Sequence, residues 1–192
     1  MAYPFFAYLS RLRLIHRWSL MRNTVPENDA EHSLQVAMIA HALAVSARKK
    51  YGREVDPEHV ATLAIYHDAA EVLTSDLPTP VKYHSGVLRD AYGQVEEAAT
   101  RKLCDMLPET VAEEISACLT ERGTLACRLV KAADRISAYI HCLEEQRAGN
   151  HEFDAAAEAI LRSIRAIDLP EVADFMETCI PAFLLTLDEL NR

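Results

Sequence analysis

The chain has 192 residues, 29 of them acidic and 20 basic, which gives a formal net charge of −9 at neutral pH. So acidic a balance lacks the basic footprint that a polyanion partner needs and excludes a nucleic-acid binder, while 50% hydrophobic and 26% charged residues exclude overall disorder. Only 5 Gly and 8 Pro occur, which disfavours a turn-rich all-β architecture and leaves no G-x-G-x-x-G or G-x-x-x-x-G-K-[ST] loop to cradle a phosphate.

Breakers and caps divide the chain into eight predicted helices, at residues 4–16, 29–51, 57–73, 86–106, 109–121, 123–148, 152–166 and 170–190. In the opening stretch, Met1 to Trp18, Arg11, Arg13 and Arg17 follow the apolar residues, the wrong order for a secretory signal. The second carries two apolar stripes, Val36, Ile39, Ala40 and Leu43 beside Leu34, Met38, Ala42 and Val45, and is expected to be central. Its uncharged run from His32 to Ala47 is 16 residues with two histidines and a glutamine, too short and too polar to span a membrane.

Asp56-Pro57 opens the third helix as a cap followed by a first-turn proline. Gly149-Asn150 closes the long helix that holds Asp134, and Pro181 is expected to kink the last one. The five cysteines are odd in number and form no C-x-x-C pair, so they read as reduced core residues of a cytoplasmic protein. No segment alternates as a strand does. The expected architecture is a single-domain, all-α helical bundle over residues 1–192.

In the third helix, Val60, Ala64, His67 and Glu71 form one stripe beside Ala61, Ile65, Asp68 and Val72. His67, Asp68 and Glu71 therefore interrupt a core-facing surface, and buried charges call for a partner or a metal. A lone His-Asp pair is ordinarily a hydrogen-bonded core feature, but Asp134 also falls in a strongly apolar helix, and His32 lies on the buried face of the second. Together they make a two-His, two-Asp set, His32, His67, Asp68 and Asp134. Mixed imidazole and carboxylate ligation suits a borderline or hard divalent ion, and the lack of a cysteine ligand argues against a structural zinc site.

The order H…HD…D resembles that of the HD-domain metallophosphohydrolases. The segments Arg17-Trp18-Ser19-Leu20-Met21-Arg22-Asn23, Glu31-His32-Ser33-Leu34-Gln35-Val36-Ala37, Tyr66-His67-Asp68-Ala69-Ala70-Glu71-Val72-Leu73-Thr74 and Asp76-Leu77-Pro78-Thr79-Pro80-Val81-Lys82-Tyr83 are similar to those of the bacterial 5′-deoxynucleotidases of the YfbR type. The resemblance implies an HD-domain fold and a homodimer that uses one divalent ion, Co²⁺ or Mn²⁺ before Mg²⁺, Zn²⁺ or Cu²⁺. The reaction it implies is hydrolysis of deoxyribonucleoside 5′-monophosphates to deoxynucleoside and phosphate.

Glu71, one turn from both His67 and Asp68, is assigned general acid/base work with its pKa raised by burial; its alternative is an acceptor for a ligand histidine. Arg17 is the candidate for orienting the phosphate, since a guanidinium offers bidentate contacts; otherwise it is a charge ending the first helix. By resemblance Trp18 packs against the sugar and excludes a 2′-hydroxyl, although core filling is the default for a sole tryptophan. Asp76, Leu77, Pro78 and Thr79 contact substrate by the same resemblance, with Asp76 near the sugar or the attacking water, although a plain turn is the alternative. His32, Asp68 and Asp134 border the substrate as well. The remaining histidines, His141 among them, receive no role.

Two departures stand out. Ala30 occupies a position where close relatives are expected to carry Ser, so the cap of the second helix passes to Asp29, and Lys131 and Arg135 flank Asp134 as surface charges or as partners of a site carboxylate. Two other readings remain: an HD-domain enzyme for a triphosphate, cyclic dinucleotide or alarmone, and a catalytically silent nucleotide sensor. Only Arg17, Arg22 and Lys82 supply positive charge near the site, which disfavours a triphosphate.

Overall fold

The structure, a computed structural model, describes residues 2–82 and 84–191, and of Thr79 and Pro80 only the backbone. Tyr83 and the Thr79 side chain, both within the resembling segments, lie outside the described residues. Among these residues all regular structure is helical, apart from one antiparallel bridge between His16 and Asn28. The first predicted helix is split into α1 (Phe5–Leu9) and a 3-10 turn (Leu12–Leu14), so Arg17 sits in a loop and ends no helix.

The second and third predicted helices appear as α2 (Asp29–Tyr51) and α3 (Pro57–Ile65). Asn28, not Asp29, caps α2: its side chain accepts from the backbone N–H of Ala30 and of Glu31, both at 3.1 Å. Asp29 and Glu31 in the first turn and Arg48, Lys49 and Lys50 in the last complement the helix dipole, and Gly52 ends the helix at φ 64°. Asp56 caps α3 through Glu58 N–H with Pro57 in the first turn, as expected.

The third helix does not run on to residue 73. It breaks at Tyr66, and a turn of i to i−3 bonds leads into the short α4 (Glu71–Thr74). The cause is local: His67 Nδ1 donates to the Ala64 carbonyl at 2.8 Å, the acceptor that a continuing α-helix would offer to the Asp68 N–H. A further short helix, α5 (Thr79–Lys82), precedes α6 (Gly86–Cys104), α7 (Glu109–Thr120) and α8 (Leu125–Arg147). Next come a 3-10 turn (His151–Phe153), α9 (Asp154–Arg165) and α10 (Pro170–Thr178). Pro181 ends rather than kinks the last predicted helix, which gives way to a 3-10 turn (Ile180–Leu184) and α11 (Leu187–Leu190).

α2, α3 and α8 pack on one another around Val36, Ala40 and Leu43, Val60 and Ala64, and Leu129, Ala133, Ile136 and Ile140. Alanines let the backbones approach, and each fully buried Leu or Ile contributes about 1.5–3 kcal/mol. α2 is central on one side only. Its second stripe faces outward, with Leu34 61% and Met38 60% exposed. A second core cluster joins Phe5, Leu103, Leu107 and Leu119 to Ala69, and so holds the turn that carries His67 and Asp68.

Candidate active site

α2, the turn after α3, and α8 converge through His32, His67, Asp68 and Asp134. His32 Nε2 lies 3.1 Å from Asp134 Oδ1 and 3.8 Å from Asp68 Oδ2, and His67 Nε2 lies 3.0 Å from the same Asp68 oxygen. Both rings are fixed from behind. His67 Nδ1 donates to Ala64 O, while Ser137 Oγ donates to Gln35 Oε1 at 2.6 Å and therefore accepts from His32 Nδ1 at 3.0 Å. Each imidazole thus turns its Nε2 toward the carboxylates, His32 toward Asp134 and Asp68 and His67 toward Asp68.

A divalent cation fits this donor set. His32, His67 and Asp68 bring one ligand atom each within 4.8 Å of one another, and Asp134 joins them through its 3.1 Å contact to His32 Nε2, so two imidazole nitrogens and two carboxylates are at hand. Burial would push the His67 ring down, but the charge and hydrogen bond of Asp68 override it and raise it to about 9. Burial alone would raise Asp68 and Asp134; the neighbouring histidines hold both below the usual carboxylate range.

A group of acids lies beside this set. Asp29, Asp68 and Glu71 place carboxylate oxygens within 4.8 Å of one another, and Asp29 is wholly buried with neither oxygen hydrogen-bonded to a donor among the described residues. Burial, then the charges of Asp68, Asp29 and Asp76, push Glu71 up to about 10, so it is a protonated acid at neutral pH. Burial also raises Asp29 to about 6 and lifts Asp76, with Arg17 opposing. The chain reaches Asp76 through Ser75, which turns at φ 63°.

Arg17 bridges these acids. Its Nη1 lies 3.4 Å from Asp68 Oδ2 and 3.7 Å from Asp29 Oδ1, and its Nε donates to Glu27 Oε2 at 3.2 Å. Its Nη2 has no such contact among the described residues. Trp18, at φ 56°, stores about 1–3 kcal/mol of backbone strain. Its ring stacks on His141 at 5.5 Å and 10° and meets Phe153 edge-on. Beyond it, Glu145, 1% exposed, accepts from the backbone N–H groups of Thr24 and Val25 and from Asn150 Nδ2, clasping the loop.

A cleft of about 290 Å³ opens over His67, Asp68, Glu71 and Asp134, walled by Tyr66 and Lys131 among others. Arg17, Trp18, Asp76, Leu77 and Pro78 do not line it. Leu77 and Pro78 are half-buried in the turn after α4. Lys131 is exposed at the cleft, whereas Arg135 donates to the Ser163 carbonyl at 3.2 Å and reaches no site carboxylate. Lys82 is engaged by Glu96 at 2.7 Å.

Sequence reasoning missed Asp29, Glu27, Ser137, Gln35, His141 and Glu145. For the α8 residues a signal existed: Asp134, Ser137, His141 and Glu145 recur at 3, 4 and 4, one helix edge turned to the site. For Gln35 the signal is its place one turn after His32.

An all-helical fold with H…HD…D side chains converging on one point defines an HD-domain phosphohydrolase. The chain belongs to the 5′-deoxynucleotidase YfbR-like family, whose model matches residues 4–183. Among its relatives, 5′-deoxynucleotidase VP0926 of Vibrio parahaemolyticus is 48% identical over 97% of both chains, and 5′-deoxynucleotidase YfbR of Escherichia coli O1:K1 is 49% identical over 98% of this chain and 96% of that one. The crystal structure of an HD-domain phosphohydrolase from Listeria innocua superposes with TM-score 0.78 at 26% identity, covering 97% of this chain and 91% of that one. A cyanophage S-2L HD phosphohydrolase bound to dA and one catalytic Zn²⁺ ion shares the fold, with TM-score 0.66 at 20% identity over 93% and 95%.

Proposed function

We propose that the chain is a metal-dependent 5′-deoxynucleotidase that hydrolyses deoxyribonucleoside 5′-monophosphates to deoxynucleoside and phosphate. The observation that carries the reading is the convergence of His32 Nε2, His67 Nε2, Asp68 and Asp134, with both Nδ1 atoms already committed elsewhere. Full-length similarity to relatives named 5′-deoxynucleotidases supports it.

These four residues would hold one divalent ion, which supplies Lewis-acid polarisation of the phosphoryl group when bound. Co²⁺ and Mn²⁺ are the ions we favour. Arg17 orients the phosphate through its uncommitted Nη2 and stays charged, since the Asp68, Asp134 and Glu27 carboxylates outweigh the effect of burial. Glu71, whose protonated form is favoured by burial and by the neighbouring acids, delivers a proton to the departing 5′-oxygen. Asp76, beside it, takes the proton of the attacking water, and Leu77, Pro78 and Thr79 contact the substrate. Trp18 meets the deoxyribose face and leaves no room for a 2′-hydroxyl.

The outward stripe of α2 around Leu34 and Met38 supports association with a second copy of the chain, as a patch of this kind marks contact surfaces. No described helix is long and apolar enough to cross a membrane, and all five cysteines are free, which fits residence in a reducing cytoplasm. Phosphate release from dAMP, dGMP and dTMP and their ribose counterparts, with Co²⁺, Mn²⁺ or Mg²⁺, tests the assignment. Turnover of deoxyribonucleotides is expected; turnover of triphosphates alone, or of nothing, would replace it with one of the other HD-domain readings.

A further inference from the structure

The loop between the 3-10 turn and α2 is closed at its base by backbone pairing. Arg17 N–H donates to Glu27 O at 3.0 Å and Asp29 N–H to Ile15 O at 3.1 Å, so residues 15–17 and 27–29 run side by side. This pairing turns the Glu27 side chain, 12% exposed, back toward the two residues that begin the loop. One of its oxygens, Oε2, accepts from Arg17 Nε at 3.2 Å and from Trp18 Nε1 at 3.1 Å. The other lies 3.8 Å from His32 Nδ1.

The Trp18 indole has three defined contacts. His141 lies flat against one face, Phe153 meets it edge-on, and Glu27 fixes the N–H. Of these three contacts the Glu27 bond is the directional one. The same oxygen fixes the guanidinium at Nε and so turns Nη1 toward Asp68. A neutral side chain with a single oxygen would satisfy the indole but would hold the guanidinium less firmly, because the charge-assisted bond is the stronger one.

We infer that Glu27 is a positioning residue that couples Arg17 to Trp18 through one carboxylate oxygen, and thereby sets the enzyme's discrimination between deoxyribose and ribose. Because the phosphate and the sugar of a mononucleotide are joined by one methylene, fixing the guanidinium and the indole to one atom fixes the distance at which the two ends of the substrate are read. The inference rests on the roles proposed above for Arg17 and Trp18, but its geometric half does not, since Trp18 is the sole tryptophan and reports directly on Glu27.

The test uses the full-length protein and the variants Glu27→Ala and Glu27→Gln, with folding checked by circular dichroism. Glu27→Ala should shift the tryptophan emission to the red and increase acrylamide quenching. It should also lower the ratio of kcat/KM for dAMP over AMP by about tenfold, the loss expected for one hydrogen bond to a charged group. Glu27→Gln, which keeps an acceptor for the indole, should restore the fluorescence and much of that ratio while KM for dAMP stays raised.

Parent-like quenching in Glu27→Ala overturns the inference, and so does a dAMP/AMP ratio that does not move. If the parent protein hydrolyses neither nucleotide, the proposed function fails on that result alone, and the quenching comparison still decides whether Glu27 holds the indole. Should Glu27→Ala not fold, Glu27→Asp, whose oxygens are drawn back by one methylene, must loosen the indole in the same assay.

Discussion

The carboxyl groups of Asp29 and Glu71 approach within 4.8 Å, and among the described residues no other donor group hydrogen-bonds to Glu71 Oε2 or to either Asp29 oxygen. Two acids so placed do not both ionise readily, so one proton stays with the pair. Burial, and then the charges of Asp68 and Asp29, hold Glu71 at about 10. Asp29→Asn removes one of these charges. The alkaline limb of the pH–rate profile should then move toward acid by on the order of one pH unit. An unmoved limb would show that the essential acid is another group.

The metal-free protein should be less stable at pH 9.5 than at pH 7.5. Glu71, raised from 4.5 to about 10, and His67, raised from 6.5 to about 9, favour the fold while protonated. Each contribution is complete below the unfolded pKa and is lost as pH rises through the folded one, so between pH 7 and pH 10 both act in the same direction. Asp68 and Asp134 are shifted down, and their contributions are lost only on strong acidification. Thermal melting at the two pH values, with and without Mn²⁺, measures this. The ion should reduce the difference, because it takes the place of the proton on His67.

Ser137→Ala takes away the acceptor that commits His32 Nδ1. Metal affinity should fall about 10–100-fold while the helical content is unchanged, the usual effect of losing a partner behind a ligand. Isothermal titration with Mn²⁺ reads it directly, and unaltered affinity would mean that packing alone orients His32.

Asp134→Ala and Glu71→Gln should part company. The first removes a proposed ligand, so bound metal and activity disappear together. The second keeps metal and substrate binding and loses roughly 10²–10⁴-fold in turnover. Loss of metal in Glu71→Gln would make Glu71 a ligand.

Glu145→Ala breaks the clasp on Thr24, Val25 and Asn150. A destabilisation on the order of 2 kcal/mol is expected, or about 4–8 °C in melting temperature. The parent carboxylate is set low, at about 2, by these donors against the effect of burial. Its contribution is therefore full above pH 4.5 and lost as pH falls toward 2.

The long helices were legible because caps and breakers state their ends: Asp56-Pro57 and Gly149 lie where the chain turns. The break at His67 was not, since the apolar period continues across it and only the ring's bond to Ala64 O interrupts the ladder. His32, His67, Asp68 and Asp134 could be picked out as ionisable groups on apolar helices. Glu27 and Asp29 could not, because they sit among polar neighbours in Pro26-Glu27-Asn28-Asp29, where burial comes from chain pairing across the loop and leaves no period in the sequence. The outward face of α2 misled for the opposite reason: apolar residues all round a helix do not tell which side this chain covers by itself.

α8 brings Asp134, Ser137, His141 and Glu145 to one edge, so a single rod carries a proposed ligand, the partner of another, the platform of the indole and the clasp of its loop. Their relation is one of phase. A residue inserted after Tyr139 would leave Asp134 and Ser137 where they are and swing His141 and Glu145 by about 100°, parting the proposed metal site from the indole and the loop that carries it.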